Sequence, residues 1–175
     1  AGVSGVAVHG RFATQLYTGS ADWSIIDDVA SRVAIPVVGS GDVFSAEDAV
    51  RMLTTTAASA VFVARGTYGN PWVFEDAFNL LQGNPVSPHT ESERLDALRE
   101  HLRLLHAHDA HMARARTFAT WYLKGMVHAA AWRGRVVRCQ TFEDFMQLVD
   151  LIEEDVRACA ALKADGQAVP ALSEM

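Results

Sequence analysis

Three times within the first 70 residues, a short hydrophobic run ends in a cluster of small or polar residues. Stretches with helical spacing lie between the runs, and that alternation restricts the fold to β/α units on a parallel sheet. Val3 to Val8 reads as a strand ending at His9-Gly10-Arg11. Ile35 to Val38 ends at Gly39-Ser40-Gly41-Asp42, and Ala60 to Ala64 ends at Arg65-Gly66. Between them, Ser24 to Val33 and Ser45 to Thr54 place apolar residues on one helical face. Ser45 followed by Glu47 and Asp48 suits a helix start, where a hydroxyl and first-turn carboxylates satisfy open amides.

A short helix is expected from Asn70-Pro71-Trp72 to about Leu81, followed by Gln82-Gly83-Asn84-Pro85-Val86-Ser87-Pro88. Two prolines and a glycine stop a helix and let the chain turn, which puts a linker at residues 83–90. Beyond it every pattern is helical. Thr90 with Glu93 predicts a capping box, and Leu95, Leu98, Leu102 and Leu105 trace one apolar face. A second helix is expected from Ala113 to Trp132, with Phe118, Trp121, Tyr122 and Met126 at core-like spacing, and a third from Thr141. Three amphipathic helices predict an all-α bundle over residues 91–163, and residues 164–175 read as a flexible tail.

No apolar run approaches the roughly 18 to 20 residues of a membrane helix. Ala1 to Val8 has no basic leader, so it is not expected to be a signal peptide, and a cytoplasmic location follows. The two cysteines, Cys139 and Cys159, have no CxxC spacing and read as small reduced thiols. His101, His106, His108 and His111 lack an HExxH-type arrangement, and no metal is expected. The net charge of −6 conceals segregation. From Ala110 to Phe142 there is no carboxylate, while Arg114, Arg116, Lys124, Arg133, Arg135 and Arg138 give +6, leaving −12 elsewhere. Together with Trp121, Tyr122 and Trp132, that stretch suits phosphate contact on RNA, or else a solvated cationic face over core aromatics.

In a parallel β/α sheet, the three clusters after the strands must share the carboxyl-end face. Gly39-Ser40-Gly41 and Ala64-Arg65-Gly66 let backbone approach an anion, and Arg65 adds permanent charge; the same glycines also suit plain tight turns. On its own, His9 reads first as a structural histidine at a strand end, with a cofactor contact as the alternative. Arg11 is open between a surface charge and a phosphate or RNA contact.

Four segments, taken together, resemble the bacterial tRNA-dihydrouridine synthases in order and spacing. These are His9-Gly10-Arg11, Tyr17-Thr18-Gly19-Ser20-Ala21-Asp22-Trp23, Ile35 to Asp42 and Ala64 to Trp72. A weaker likeness continues through Trp121-Tyr122-Leu123-Lys124-Gly125 and Thr141 to about Glu154. The resemblance implies an α/β chain: the carboxy-terminal part of a (β/α)8 TIM barrel, about three units over residues 1–82, followed by a helical tRNA-binding domain. It implies FMN reduced by NADPH, hydride transfer to a tRNA uracil, and a cysteine that protonates the neighbouring carbon. His9, Ser40, Gly41, Ala64, Arg65 and Gly66 would hold FMN. Arg11, Arg114, Arg116 and Lys124 would contact RNA. Ser40 stands where the family usually has asparagine, and Ala64 where it has glycine.

The acid cysteine is expected upstream, so no catalytic residue is expected in this chain. The missing amino-terminal barrel half is an expected partner, and the chain alone is expected to be inactive. Two other readings fit the glycine clusters or the basic helix singly. One is a phosphate-binding barrel enzyme acting on a small metabolite, and the other is a non-catalytic RNA-binding module.

Overall fold

The computed structural model describes residues 2–16 and 18–172. The chain divides into two compact units, residues 1–87 and 88–175. The first is α/β. Strands β1 (Val6–His9), β2 (Val37–Ser40) and β3 (Ala60–Phe62) form a parallel sheet in the order β1-β2-β3. Helix α1 (Trp23–Arg32) links β1 to β2, α2 (Ala46–Thr55) links β2 to β3, and α3 (Val73–Leu81) follows. Cap chemistry sets two of these starts: the Asp22 carboxylate accepts from the Ser24 amide and the Ser45 hydroxyl from the Asp48 amide.

The register pairs Val6 with Val37, Val8 with Gly39 and Gly39 with Val61, all on the face that α1 and α2 cover. Ile26 and Met52 are completely buried there. A β-carbon at Gly39 would lie 2.6 Å from Met52 Sδ and 3.2 Å from Ile26 Cγ2, so glycine is what lets the helices settle onto the strand. The opposite face carries Ala7, His9, Val38, Ser40, Ala60 and Phe62, with His9, Ser40 and Phe62 in one cross-strand row. Phe62 is 58% exposed. The strand ends lie up to three positions away from the expected ones, because His9 and Ser40 stay in the hydrogen-bonded ladder and Val3 and Ile35 do not.

The second unit holds α4 (Glu91–Ala107), α5 (Ala113–Tyr122), α6 (Ala129–Val136) and α7 (Phe142–Ala164). Leu95, Leu98 and Leu102 of α4 pack with Ala119 and Tyr122 of α5, Trp132 of α6 and Phe145, Val149 and Ile152 of α7 in one buried cluster. Capping boxes start α4 at Thr90 and Glu93 and α7 at Thr141 and Asp144.

The single helix expected from Ala113 to Trp132 is two helices. Gly125 and His128 take positive φ values of 81° and 51°. The Arg94 guanidinium donates to the Tyr122 and Lys124 carbonyls, and Glu91 Oε1 accepts from the Val127 amide at 2.8 Å. These α4 side chains satisfy the backbone groups that the break exposes. Trp121, expected in the core, is 39% exposed, while Tyr122, Met126 and Trp132 are buried. The tail expected to be flexible makes two contacts with the helical unit before its end. His128 Nε2 lies 2.8 Å from the Pro170 carbonyl, and Leu172 packs against the helical core. Tyr17 and the last three tail residues, 173–175, lie outside the described residues.

Candidate functional site

All three strands run in one direction, so the chain leaves each of them at the same edge of the sheet. A cavity of about 260 Å³ opens there, lined by His9, Ser40, Gly41, Asp42, Ala64 and Arg65, with Phe44, Phe62 and Tyr68 on its apolar walls. Five of the six residues expected at a cofactor are therefore on one wall set. The sixth, Gly66, is buried behind it. A β-carbon at Gly66 would lie 2.5 Å from the Val43 carbonyl oxygen and 2.9 Å from Phe44 Cα, so glycine keeps the third strand's exit against the second strand's loop.

The loop after β2 is pinned from several sides. The Trp23 indole N–H donates to the Gly41 carbonyl at 2.9 Å, and the Ala21 amide donates to Asp42 Oδ2 at 2.7 Å. Gly41 has φ 124°, and a β-carbon there would meet His9 Nδ1 at 3.0 Å. Asp42 itself sits in the left-handed region at φ 51°, which aspartate tolerates better than most residues.

Arg11 grips Asp42 with both terminal nitrogens, each 2.7 Å from a different carboxylate oxygen, and also donates to the Gly19 carbonyl at 2.8 Å. Its side chain is 6% exposed. Arg11, expected at the RNA, is turned inward here and engaged by a carboxylate 31 positions away. Arg65 approaches the same carboxylate at 3.4 Å and lies over the Phe44 ring, with 40% of its side chain exposed. Burial pushes the Asp42 carboxyl up, but the Arg11 hydrogen bonds, the Ala21 amide and the charges of Arg11 and Arg65 outweigh it and hold the carboxyl below its ordinary value. Asp42, which the sequence reading did not single out, is thus the hub of the site. Its signal was only its place directly after Gly41.

The other expected RNA contacts lie in the helical unit. Arg114 and Lys124 are exposed, and the Lys124 ammonium sits 5.5 Å from the Trp121 ring centre. Arg116 is half-buried, and its Nε donates to the Cys139 carbonyl at 2.8 Å, so part of its role is to close the connection after α6. Both cysteines are free and buried. The four histidines from His101 to His111 are not gathered. His101 packs tilted against Phe118 and edge-on to Tyr122, and burial lowers its pKa. A group that sequence spacing did not suggest is drawn together instead: His128, Asp155 and Cys159, with ligand atoms all within 4.8 Å of one another. Among the described residues, no helix is long and apolar enough to cross a membrane.

Comparison with known proteins gives this geometry a family. Residues 1–160 match the model of the dihydrouridine synthase (Dus) family. A probable tRNA-dihydrouridine synthase of Mycobacterium tuberculosis is 37% identical over 160 residues, which are 89% of this chain and 41% of that protein. The tRNA-dihydrouridine synthase B of Xanthomonas axonopodis pv. citri is 37% identical over 144 residues, 80% of this chain and 43% of that protein. A probable tRNA-dihydrouridine synthase of Treponema pallidum is 36% identical over 157 residues, 85% of this chain and 46% of that protein. The chain thus spans less than half the length of these relatives. With the family model covering most of its residues, and relatives of this identity along the same stretch, the chain belongs to the dihydrouridine synthase family.

Proposed function

We propose that the chain serves the flavin-dependent reduction of uridine to 5,6-dihydrouridine in tRNA. On this reading the α/β unit is part of an FMN-binding (β/α)8 barrel and the helical unit is an RNA-contacting bundle. The observation that carries the reading is the convergence of His9, Ser40 and Arg65 on one cavity at the carboxyl ends of parallel strands, where such folds take their ligands. The uncovered row of His9, Ser40 and Phe62 suits the interior of a closed barrel, and further strands would pair with the outer edges of β1 and β3.

The residues present fit a phosphate-bearing flavin. Arg65 offers a permanent charge at the cavity mouth, and the Asp42 carboxylate that would repel an anion is neutralised by Arg11. Gly41 and Ala64 keep the backbone close, His9 and Ser40 supply polar contacts on the strand side, and Phe44 and Tyr68 give the cavity apolar walls. FMN, reduced by NADPH, would supply the hydride for the uracil. The acid cysteine would come from outside these residues, since Cys139 and Cys159 both belong to the helical unit. Arg114 and Lys124, exposed within a carboxylate-free stretch, are the RNA contacts of this reading, and Arg116 joins them in part.

A chimera tests it. These residues replace the matching segment of the M. tuberculosis relative, in cells stripped of their own dihydrouridine synthases. Dihydrouridine should return to the tRNA, and the purified chimera should show visible flavin absorbance that falls in Arg65→Ala. A folded chimera with neither flavin nor dihydrouridine would overturn the assignment. Flavin without tRNA modification would favour a barrel enzyme acting on a small metabolite.

A further inference from the structure

The strained entry to α6 and one face of α7 meet around Asp155. This carboxylate is 5% exposed. His128, at the start of α6, brings Nδ1 to 2.9 Å from Asp155 Oδ2, and the Trp132 indole donates to the same oxygen at 2.7 Å. Cys159, one turn beyond Asp155, holds Sγ 3.5 Å from Oδ1. On its other side, His128 Nε2 faces the Pro170 carbonyl at 2.8 Å. We infer that His128, Asp155 and Cys159 form a binding site for a borderline divalent transition metal of the zinc class, structural in role and separate from the flavin cavity.

The donor chemistry argues for it. Imidazole nitrogen, carboxylate oxygen and thiolate sulfur are the set that zinc takes in three-residue combinations, with bonds of about 2.0 to 2.3 Å. Such bonds in a tetrahedron separate ligand atoms by about 3.3 to 3.6 Å. The Sγ to Oδ1 distance already matches, the Nδ1 to carboxylate distance would open by a few tenths of an ångström, and Nδ1 and Sγ, within 4.8 Å of each other, would draw together as the ion seats. The surrounding contacts are those that metal ligands use for support. Nε2–H on a backbone carbonyl fixes the ring so that Nδ1 turns inward, and the Trp132 N–H steadies the carboxylate. His128 also lines a cleft of about 530 Å³ beside Ala129 and Leu172, which gives an ion a route from solvent.

Charge balance points the same way. Both nitrogens of His128 face acceptors, an arrangement that a doubly protonated ring satisfies when no metal is bound. A divalent ion displaces the Nδ1 proton and the thiol proton and leaves the same net charge, so its entry needs no other countercharge.

Cobalt(II) titrated into the full chain is the direct probe. One equivalent should bind, with a near-ultraviolet thiolate-to-cobalt band and release of about two protons in weak buffer. Cys159→Ser should abolish the band, Cys139→Ser should keep it, and Trp132→Phe should weaken binding about 10- to 100-fold. X-ray absorption of the unmutated, zinc-loaded chain should show one sulfur at about 2.3 Å. That measurement decides the matter even where a variant does not fold. Absence of stoichiometric binding, a band indifferent to Cys159→Ser, or a shell without sulfur would leave a hydrogen-bonded cluster only. No readout depends on flavin or tRNA, so this inference and the proposed activity fail separately.

Discussion

Replacing Arg11 by methionine keeps the buried stem and removes two 2.7 Å hydrogen bonds to Asp42 and one to the Gly19 carbonyl. Removing one partner of a buried ion pair costs about 3 to 5 kcal/mol, because the other charge is left behind. Here the pair is 6% and 19% exposed, and Asp42 keeps the Ala21 amide and Arg65, so the low end applies, about 3 kcal/mol. Arg65→Ala, taken from a longer contact at a side chain that is 40% exposed, should cost under about 1 kcal/mol.

The loss should depend on pH. Asp42 ionises more readily in the fold than in the unfolded chain, so the pair's contribution is complete above the ordinary carboxylate value and fades as pH falls through the lowered one. Hydrogen exchange across residues 6–42 reads this locally, since the Gly10 amide bonds the Ser40 carbonyl and the Asp22 amide bonds the Gly10 carbonyl. A penalty below about 1 kcal/mol, or one that persists unchanged in acid, would refute the account of Arg11 as the clamp on this loop.

Two further outcomes follow from the packing. Gly66→Ala should destabilise the α/β unit more than Gly39→Ala in urea unfolding. The first β-carbon meets backbone at Val43 and Phe44, whereas the second meets side chains that can shift for about 1 to 3 kcal/mol, and the reverse order would contradict the geometry. Arg94→Ala should cost about 1 to 3 kcal/mol and speed amide exchange between Leu123 and Ala129, because the Tyr122 and Lys124 carbonyls lose their donor. Unchanged exchange there would mean that the turn holds itself.

What could be read in the sequence was what local chemistry decides. Ser45, Thr90 and Thr141 mark helix starts because a hydroxyl and an amide two or three residues on are enough to specify them. The gathering of His9, Ser40 and Arg65 was legible because parallel strands joined by helices leave their carboxyl ends no choice of side. The rest depended on partners far along the chain. Apolar spacing runs through Gly125 without a signal, and the break there is held by Glu91 and Arg94, some 30 residues earlier. Arg11 read as a surface charge or an RNA contact because nothing nearby announces Asp42, and Trp121 looked like core because helical spacing was carried across the break. His128 and Asp155 stand 27 positions apart, beyond the reach of any motif spacing.

On the proposed reading of the cavity as an anion site, Asp42 also explains why two arginines converge on one loop when such a pocket needs only one. A lone aspartate at a cavity mouth would cancel Arg65 and draw its guanidinium down onto the carboxylate. Arg11, buried and forked onto both oxygens, satisfies that carboxylate first. Arg65 then stays at 3.4 Å, held against the Phe44 ring and still two-fifths exposed toward the cavity. The cavity keeps a net positive charge although an acid lines it, and the acid in turn accepts the Ala21 amide that fixes the loop after β2. If the cavity holds the proposed flavin phosphate, Arg11→Met should therefore lower the flavin absorbance of the chimera without touching the cavity wall, because Arg65 would be pulled from the mouth to pair with Asp42; unchanged flavin content would contradict this role.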